Sequence, residues 1–125
     1  MLGKAYTNFP GWDIVAGDPT VGQTCRIQVK SRWATGSPGF PFKNFDTDFV
    51  FFVALNRGFA RPRKSGDDRR RPPQVYVLPI DVVRLAWVDE GSWQKVYLSK
   101  IADFDSYFEH WDLIRSFLQP RHAGR

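Results

Sequence analysis

The sequence predicts one α/β (α+β) domain built on a mixed central sheet with C-terminal helices. Three stretches carry that expectation. Residues 24–32 alternate, with Cys25, Ile27, Val29 and Ser31 on one side and Thr24, Arg26, Gln28, Lys30 and Arg32 on the other, the period of a half-buried strand. Residues 49–55 are apolar without a break, which marks a central strand covered on both faces. Between 104 and 118, Phe104, Tyr107, Phe108, Trp111, Ile114, Phe117 and Leu118 recur at the spacing of one helix face.

The remaining elements follow in order. Residues 1–11 end in the turn signal Phe9-Pro10-Gly11, and residues 12–16 read as a strand. The turn-rich stretch 17–22 joins that strand to the alternating one as a hairpin. Residues 33–47, broken by Gly and Pro, read as a loop anchored by Phe40, Phe42 and Phe45. After the central strand comes a basic loop closed by Pro72-Pro73, then a strand at 74–78 ended by Pro79. Residues 80–88 read as a helix with Val82, Val83, Ala86 and Trp87 on its apolar side and Pro79 near its first turn. A short extended piece at 94–98 precedes the last helix. That helix is expected to start at Asp103, at Asp105 or at the capping-box pair Ser106 and Glu109, and to stop at Pro120. Residues 1–118 are expected to form the single domain and 119–125 a loose basic tail.

Composition narrows the class. At 125 residues, 42% hydrophobic and 25% charged, the chain suits one hydrophobic core and not a disordered state. Its longest apolar run falls far short of the roughly 20 residues of a membrane-spanning helix. No apolar stretch follows Met1, and the lone Cys25 permits no internal disulfide, so a reducing, cytoplasmic setting is expected. One Cys with two distant His, His110 and His122, excludes a zinc finger. Neither a P-loop nor a GxGxxG pattern occurs. Cys25 falls on the apolar side of its strand, which argues against a nucleophile.

The charge is uneven. Residues 57–71 hold Arg57, Arg61, Arg63, Lys64, Arg69, Arg70 and Arg71 against Asp67 and Asp68, and so carry the whole net charge of +5. The rest of the chain is neutral. One basic loop on a neutral body suits a polyanion, because Arg and Lys displace the counterions condensed on phosphates. A solvated loop that only aids solubility has the same composition.

The hairpin carries the candidate chemistry. Gln28 and Lys30 are two apart and share a strand face, and pairing across the turn brings Asp13 near them. Mg²⁺ or Mn²⁺ takes hard oxygen ligands, which the Asp13 carboxylate, the Gln28 amide and the Val29 backbone carbonyl can offer. Lys30 beside such an ion can orient a water or hold a scissile phosphate, the parts of phosphodiester hydrolysis. The same side chains also fit the solvated face of an ordinary strand.

The arrangement Asp13…Gln28-Val29-Lys30 resembles the PD-(D/E)xK nuclease superfamily, the restriction-endonuclease-like fold. Its motif is an Asp on one strand, then Glu or Gln, any residue, and Lys on the next. Residues 8–16, 26–31, 48–56, 74–83 and 107–113 are similar to a group of small bacterial proteins within it. The resemblance implies Asp13 and Gln28 as metal ligands and Lys30 as the catalytic lysine. The chain departs from the pattern twice. Gln28 stands where the parent motif has an acid, which weakens the hold on Mg²⁺. Only 12 residues precede Asp13, too few for the helix that usually opens the fold, so either the start is truncated or a partner chain covers the bare sheet face.

Three functions are therefore expected to compete: a Mg²⁺-dependent nuclease acting on DNA through Asp13, Gln28 and Lys30; a nuclease-fold module that only binds nucleic acid through the basic loop; and an interaction subunit whose loop meets an acidic protein. The uncovered face adds the expectation of a homodimer or larger homo-oligomer.

Overall fold

The computed structural model describes residues 13–18, 23–59 and 69–119. In chain order the elements are β1 (Ile14–Asp18), β2 (Gln23–Arg32), β3 (Gly39–Pro41), β4 (Phe49–Ala54), β5 (Gln74–Pro79), α1 (Ile80–Ala86), β6 (Trp87–Asp89), β7 (Gln94–Tyr97) and α2 (Asp112–Leu118). Single 3-10 turns occupy Leu98–Lys100 and Phe104–Tyr107.

The fold is α+β, with a four-stranded sheet in the order β1-β2-β4-β5 and a three-stranded sheet in the order β3-β7-β6. The larger sheet is mixed: β1 runs antiparallel to β2, β2 parallel to β4, and β4 antiparallel to β5. The all-apolar β4 takes an inner position, where both of its faces are buried. Register divides the faces. Ile27 pairs with Phe49, and Val29 with Phe51 and Val77 in line; between them, Gln28 lies beside Val50 and Leu78, and Lys30 beside Phe52 and Tyr76. α2 covers the first face, packing Leu113, Ile114 and Leu118 near Ala16, Cys25, Ile27, Phe49 and Val77. Phe117 meets Phe49, and Trp111 meets Phe51, both edge to face. The second face is covered by Val83 and Ala86 of α1 and by Phe40 and Val96 of the smaller sheet, with Phe42 and Ile101 beside them. Among the described residues, no helix is long and apolar enough to cross a membrane.

Several expectations need correction. β2 keeps the half-buried pattern at Thr24 to Ile27, but midway its polar side passes under the second layer, where Gln28 is only 8% exposed. The stretch 33–47 is not all loop, since Gly39–Pro41 forms β3 against β7. Three residues containing a proline give no periodicity, and the strand exists only because β7 is there to pair. The helix expected over 80–88 stops at Ala86, and Trp87–Asp89 turns into β6. Trp87 then donates its ring N–H to the Phe42 carbonyl at 2.8 Å. The strand expected at 12–16 is found at Ile14–Asp18.

The long last helix is the largest error. Asp103 and Glu109 sit at φ 54° and 49°, which breaks it. Phe104 and Tyr107 pack on the core of the second face, whereas Leu113, Ile114 and Leu118 pack on the first. Between them the chain crosses the β5 edge, where Phe108 bridges to Tyr76 and the Glu109 N–H donates to the Val75 carbonyl at 2.8 Å. The apolar stripe thus served two layers and imitated one helix. Neither Ser106 nor Glu109 acts as a capping box, and Ser106 Oγ instead donates to the Asp103 carbonyl. The homodimer expectation rested on a bare face of β4. Both faces of β4 are covered within the chain, which removes that ground.

Candidate nucleic-acid site at the carboxyl end of the parallel strands

The hairpin pairing extends one residue beyond β1. The Asp13 N–H donates to the Ile27 carbonyl at 2.8 Å, so Asp13 stands beside Ile27, just before the last register pair Ile14–Ile27. Asp13 Oδ2 in turn accepts the Val29 N–H at 2.8 Å. A residue's N–H and C=O project toward the same neighbour in an antiparallel ladder. The Val29 carbonyl therefore faces the Asp13 side as well. Gln28 and Lys30 share one face of β2, as the alternation predicts. The candidate trio is thus brought to one end of the sheet.

Each member has a different setting. Asp13 is exposed, and its Oδ1 carries no hydrogen bond among the described residues. Gln28 is buried, with its Oε1 shielded from solvent. Lys30 lays its ammonium 5.9 Å from the centroid of the Phe42 ring, a cation–π contact. That ring is fixed at both backbone groups: the Phe42 N–H donates to Gln94, and its carbonyl accepts from Trp87. The second sheet therefore sets the reach of Lys30. Nothing in the sequence shows this, because the stretch that holds β3 reads as loop. Arg26, on the same face of β2, is engaged otherwise. It pairs with Asp46 and Asp48, and the Asp48 bond holds its guanidinium charged. Cys25 is fully buried, and burial first, then the nearby Asp48, pushes its thiol up to about 12. This agrees with its exclusion as a nucleophile.

The stems of the basic loop arrive at the same end. The Leu55 and Arg57 N–H groups donate to the Arg32 and Trp33 carbonyls, and Thr35 N–H donates to Gly58, so the pairing of β2 and β4 runs on past both strands. Thr35 Oγ1 accepts from the Gly58 N–H at 3.0 Å and donates to the Arg69 carbonyl at 2.7 Å, which ties the loop's two stems together. Arg57, Arg69, Arg70 and Arg71 are exposed there. Arg61, Arg63 and Lys64 lie outside the described residues. Among the described residues, no three His, Cys, Asp or Glu side chains gather in a metal-binding group.

No protein-family model matches the sequence, and a search of curated proteins finds no relative.

Proposed function

We propose that this chain is a Mg²⁺- or Mn²⁺-dependent phosphodiesterase of nucleic acid, with DNA as its substrate and a site of the PD-(D/E)xK kind. The observation that carries the reading is the Asp13–Val29 hydrogen bond, with Gln28 and Lys30 on the adjoining face and the arginine-bearing stems at the same sheet end. The donors suit the ion: one carboxylate with a lone pair to spare, a backbone carbonyl facing it, and an amide oxygen behind, all hard and few enough to leave room for waters and a phosphate. Asp13 and the Val29 carbonyl, assisted by Gln28, would hold it. When bound, the ion lowers the pKa of water and offsets charge on the phosphate.

The protein's own groups do the rest. Lys30, positioned on the Phe42 ring, presents its ammonium to a non-bridging oxygen of the scissile phosphate and opposes the negative charge that grows as water attacks. Arg57 and Arg69 to Arg71 hold the backbone on either side, which fixes register without reading sequence. Val29 keeps Asp13 oriented through its N–H.

A second reading, nucleic-acid binding without catalysis, is favoured by the shielded Gln28 oxygen and by the absence of an acidic cluster among the described residues. Supercoiled plasmid and single-stranded DNA, each incubated with Mg²⁺ or Mn²⁺, separate the two. Metal-dependent nicking supports the first. Binding without any cleavage leaves the second.

A further inference from the structure

The outward face of the smaller sheet carries a groove of about 250 Å³. Strand alternation makes it. Val96 is fully buried in the core of the second face, so Lys95 and Tyr97, its neighbours in β7, face outward. Trp93 continues their row one residue before the strand. Pro41 pairs with Lys95 and Gly39 with Tyr97, so β3 supplies the adjoining row. Arg32, the last residue of β2, also lines the groove.

Its side chains point to one kind of ligand. Trp93 is 62% exposed, and Lys95 Nζ stands 5.3 Å from the centroid of its ring. Among the described residues, neither Lys95 nor Arg32 has an ion pair or a side-chain hydrogen bond, whereas Arg26 and Arg115 are paired with carboxylates. No carboxylate lines the groove among those residues; Glu90 reaches its margin, where it accepts the Tyr97 hydroxyl at 2.5 Å. An exposed indole beside unpaired cations is the combination that holds single-stranded nucleic acid, because bases stack on the ring and phosphates meet the cations. The groove is smaller than small-molecule sites of roughly 300–1,000 Å³, which suits one nucleotide of a longer strand.

We propose that this groove binds an unpaired DNA strand, with one base stacked on Trp93 and the flanking phosphates held by Lys95 and Arg32. A paired base keeps its faces inside the duplex and cannot stack on the indole. Every base has a π-face, so the contact selects an unpaired strand and not a sequence. The groove leads to the candidate site. Arg32 and Lys30 are two residues apart on one face of β2, roughly 7 Å. Lys30 in turn rests on the ring of Phe42, the residue after Pro41. A strand seated on Trp93 therefore passes Arg32 on its way to Lys30. The proposal rests on the nuclease reading only for what happens at Lys30, since binding in the groove needs neither metal nor cleavage.

The test is fluorescence anisotropy in EDTA with three labelled probes: a thymidine dodecamer, an abasic dodecamer with the same phosphates and no bases, and a polyglutamate peptide of equal length. The wild type should bind the thymidine dodecamer more tightly than the abasic one by about fivefold or more, the lower end of what one stacked base contributes. Trp93→Ala should abolish the difference, and Trp93→Phe should keep most of it. Arg32→Ala should preserve the difference and lower the slope of log affinity against log salt by about 0.7, the share of one phosphate contact on a single strand. That measurement stands even if Trp93→Ala does not fold. Equal binding of the two dodecamers by the wild type, a difference retained in folded Trp93→Ala, or an unchanged salt slope in Arg32→Ala would overturn the proposal. So would polyglutamate bound as tightly as the thymidine dodecamer, the result expected of a protein-docking face. Nicking in Mn²⁺ is scored apart. Trp93-dependent binding without nicking removes the nuclease reading and keeps the groove, and nicking without Trp93-dependent binding does the reverse.

Discussion

Asp13 is asked to do two things, to cap the Val29 N–H and to offer an oxygen to a cation, and substitution separates them. Asp13→Asn retains a carbonyl for Val29 and should change stability by less than about 0.5 kcal/mol. Asp13→Ala leaves that N–H without its partner and should cost about 1 kcal/mol in urea unfolding. Both should lose Mn²⁺ binding by isothermal titration. Gln28 gives a sharper result because it is buried. Gln28→Glu places a carboxylate in a poorly solvated position near Asp13, and both burial and repulsion raise its pKa. An acid raised in the folded state leaves stability intact below its unfolded pKa, roughly 4.3, and reduces it as pH climbs through the raised value. Thermal melts of this variant should therefore fall relative to the wild type between pH 4 and 7. Added Mn²⁺ should restore them more than it raises the wild type. Cys25 gives a second pH effect. Its thiol moves from 9.0 to about 12 on folding, so stability is whole below pH 9 and declines from there toward pH 12. Cys25→Ser, which does not titrate in that range, should show a shallower decline. That Gln28 and Lys30 share a strand face was legible from spacing alone, because β alternation is strict. The burial of Gln28 was not legible, since it depends on a layer contributed by residues far along the chain.

At the scale of elements, the smaller sheet decides how Lys30 is held. Gly39 is where it closes. A Cβ at this position would overlap the Val96 carbonyl oxygen and press on Val96 and Tyr97, all backbone that cannot step aside. Gly39→Ala should therefore lower stability by about 1–3 kcal/mol in denaturant melts. Strand β4 could be read from its composition because burial on both faces leaves no polar position to fill. β3 and β6 could not, because three-residue strands have too short a pattern and owe their form to β7. The last third misled for another reason. Apolar residues at helical spacing report contact with a core, and contact with two different layers looks the same in sequence as contact with one, even though Phe108, Trp111 and Phe117 stay exposed. The break is marked only by Asp103 and Glu109 at positive φ.

At the scale of the molecule, a helix, a mixed sheet and a second helix-and-sheet layer enclose two cores, and the candidate site lies at the sheet end where strands stop and loops begin. The charge expected to act as a unit enters and leaves at that end, through Arg57 on one stem and Arg69 to Arg71 on the other. Replacing Arg69, Arg70 and Arg71 together with Ala should weaken binding to any DNA sequence about equally. It should reduce the slope of log affinity against log salt by up to about 0.9 per lost phosphate contact. An unchanged slope would mean that these side chains do not meet phosphate. The central claim is that the Asp13–Lys30 end of the sheet hydrolyses phosphodiesters, and it is tested most directly by parallel cleavage and binding assays on Lys30→Ala. Wild-type protein should nick DNA in Mn²⁺, and Lys30→Ala should bind the same DNA within about threefold, the effect of one lost cation in many, yet not nick it. Nicking by Lys30→Ala at the wild-type rate, or none by the wild type with either ion, would contradict it.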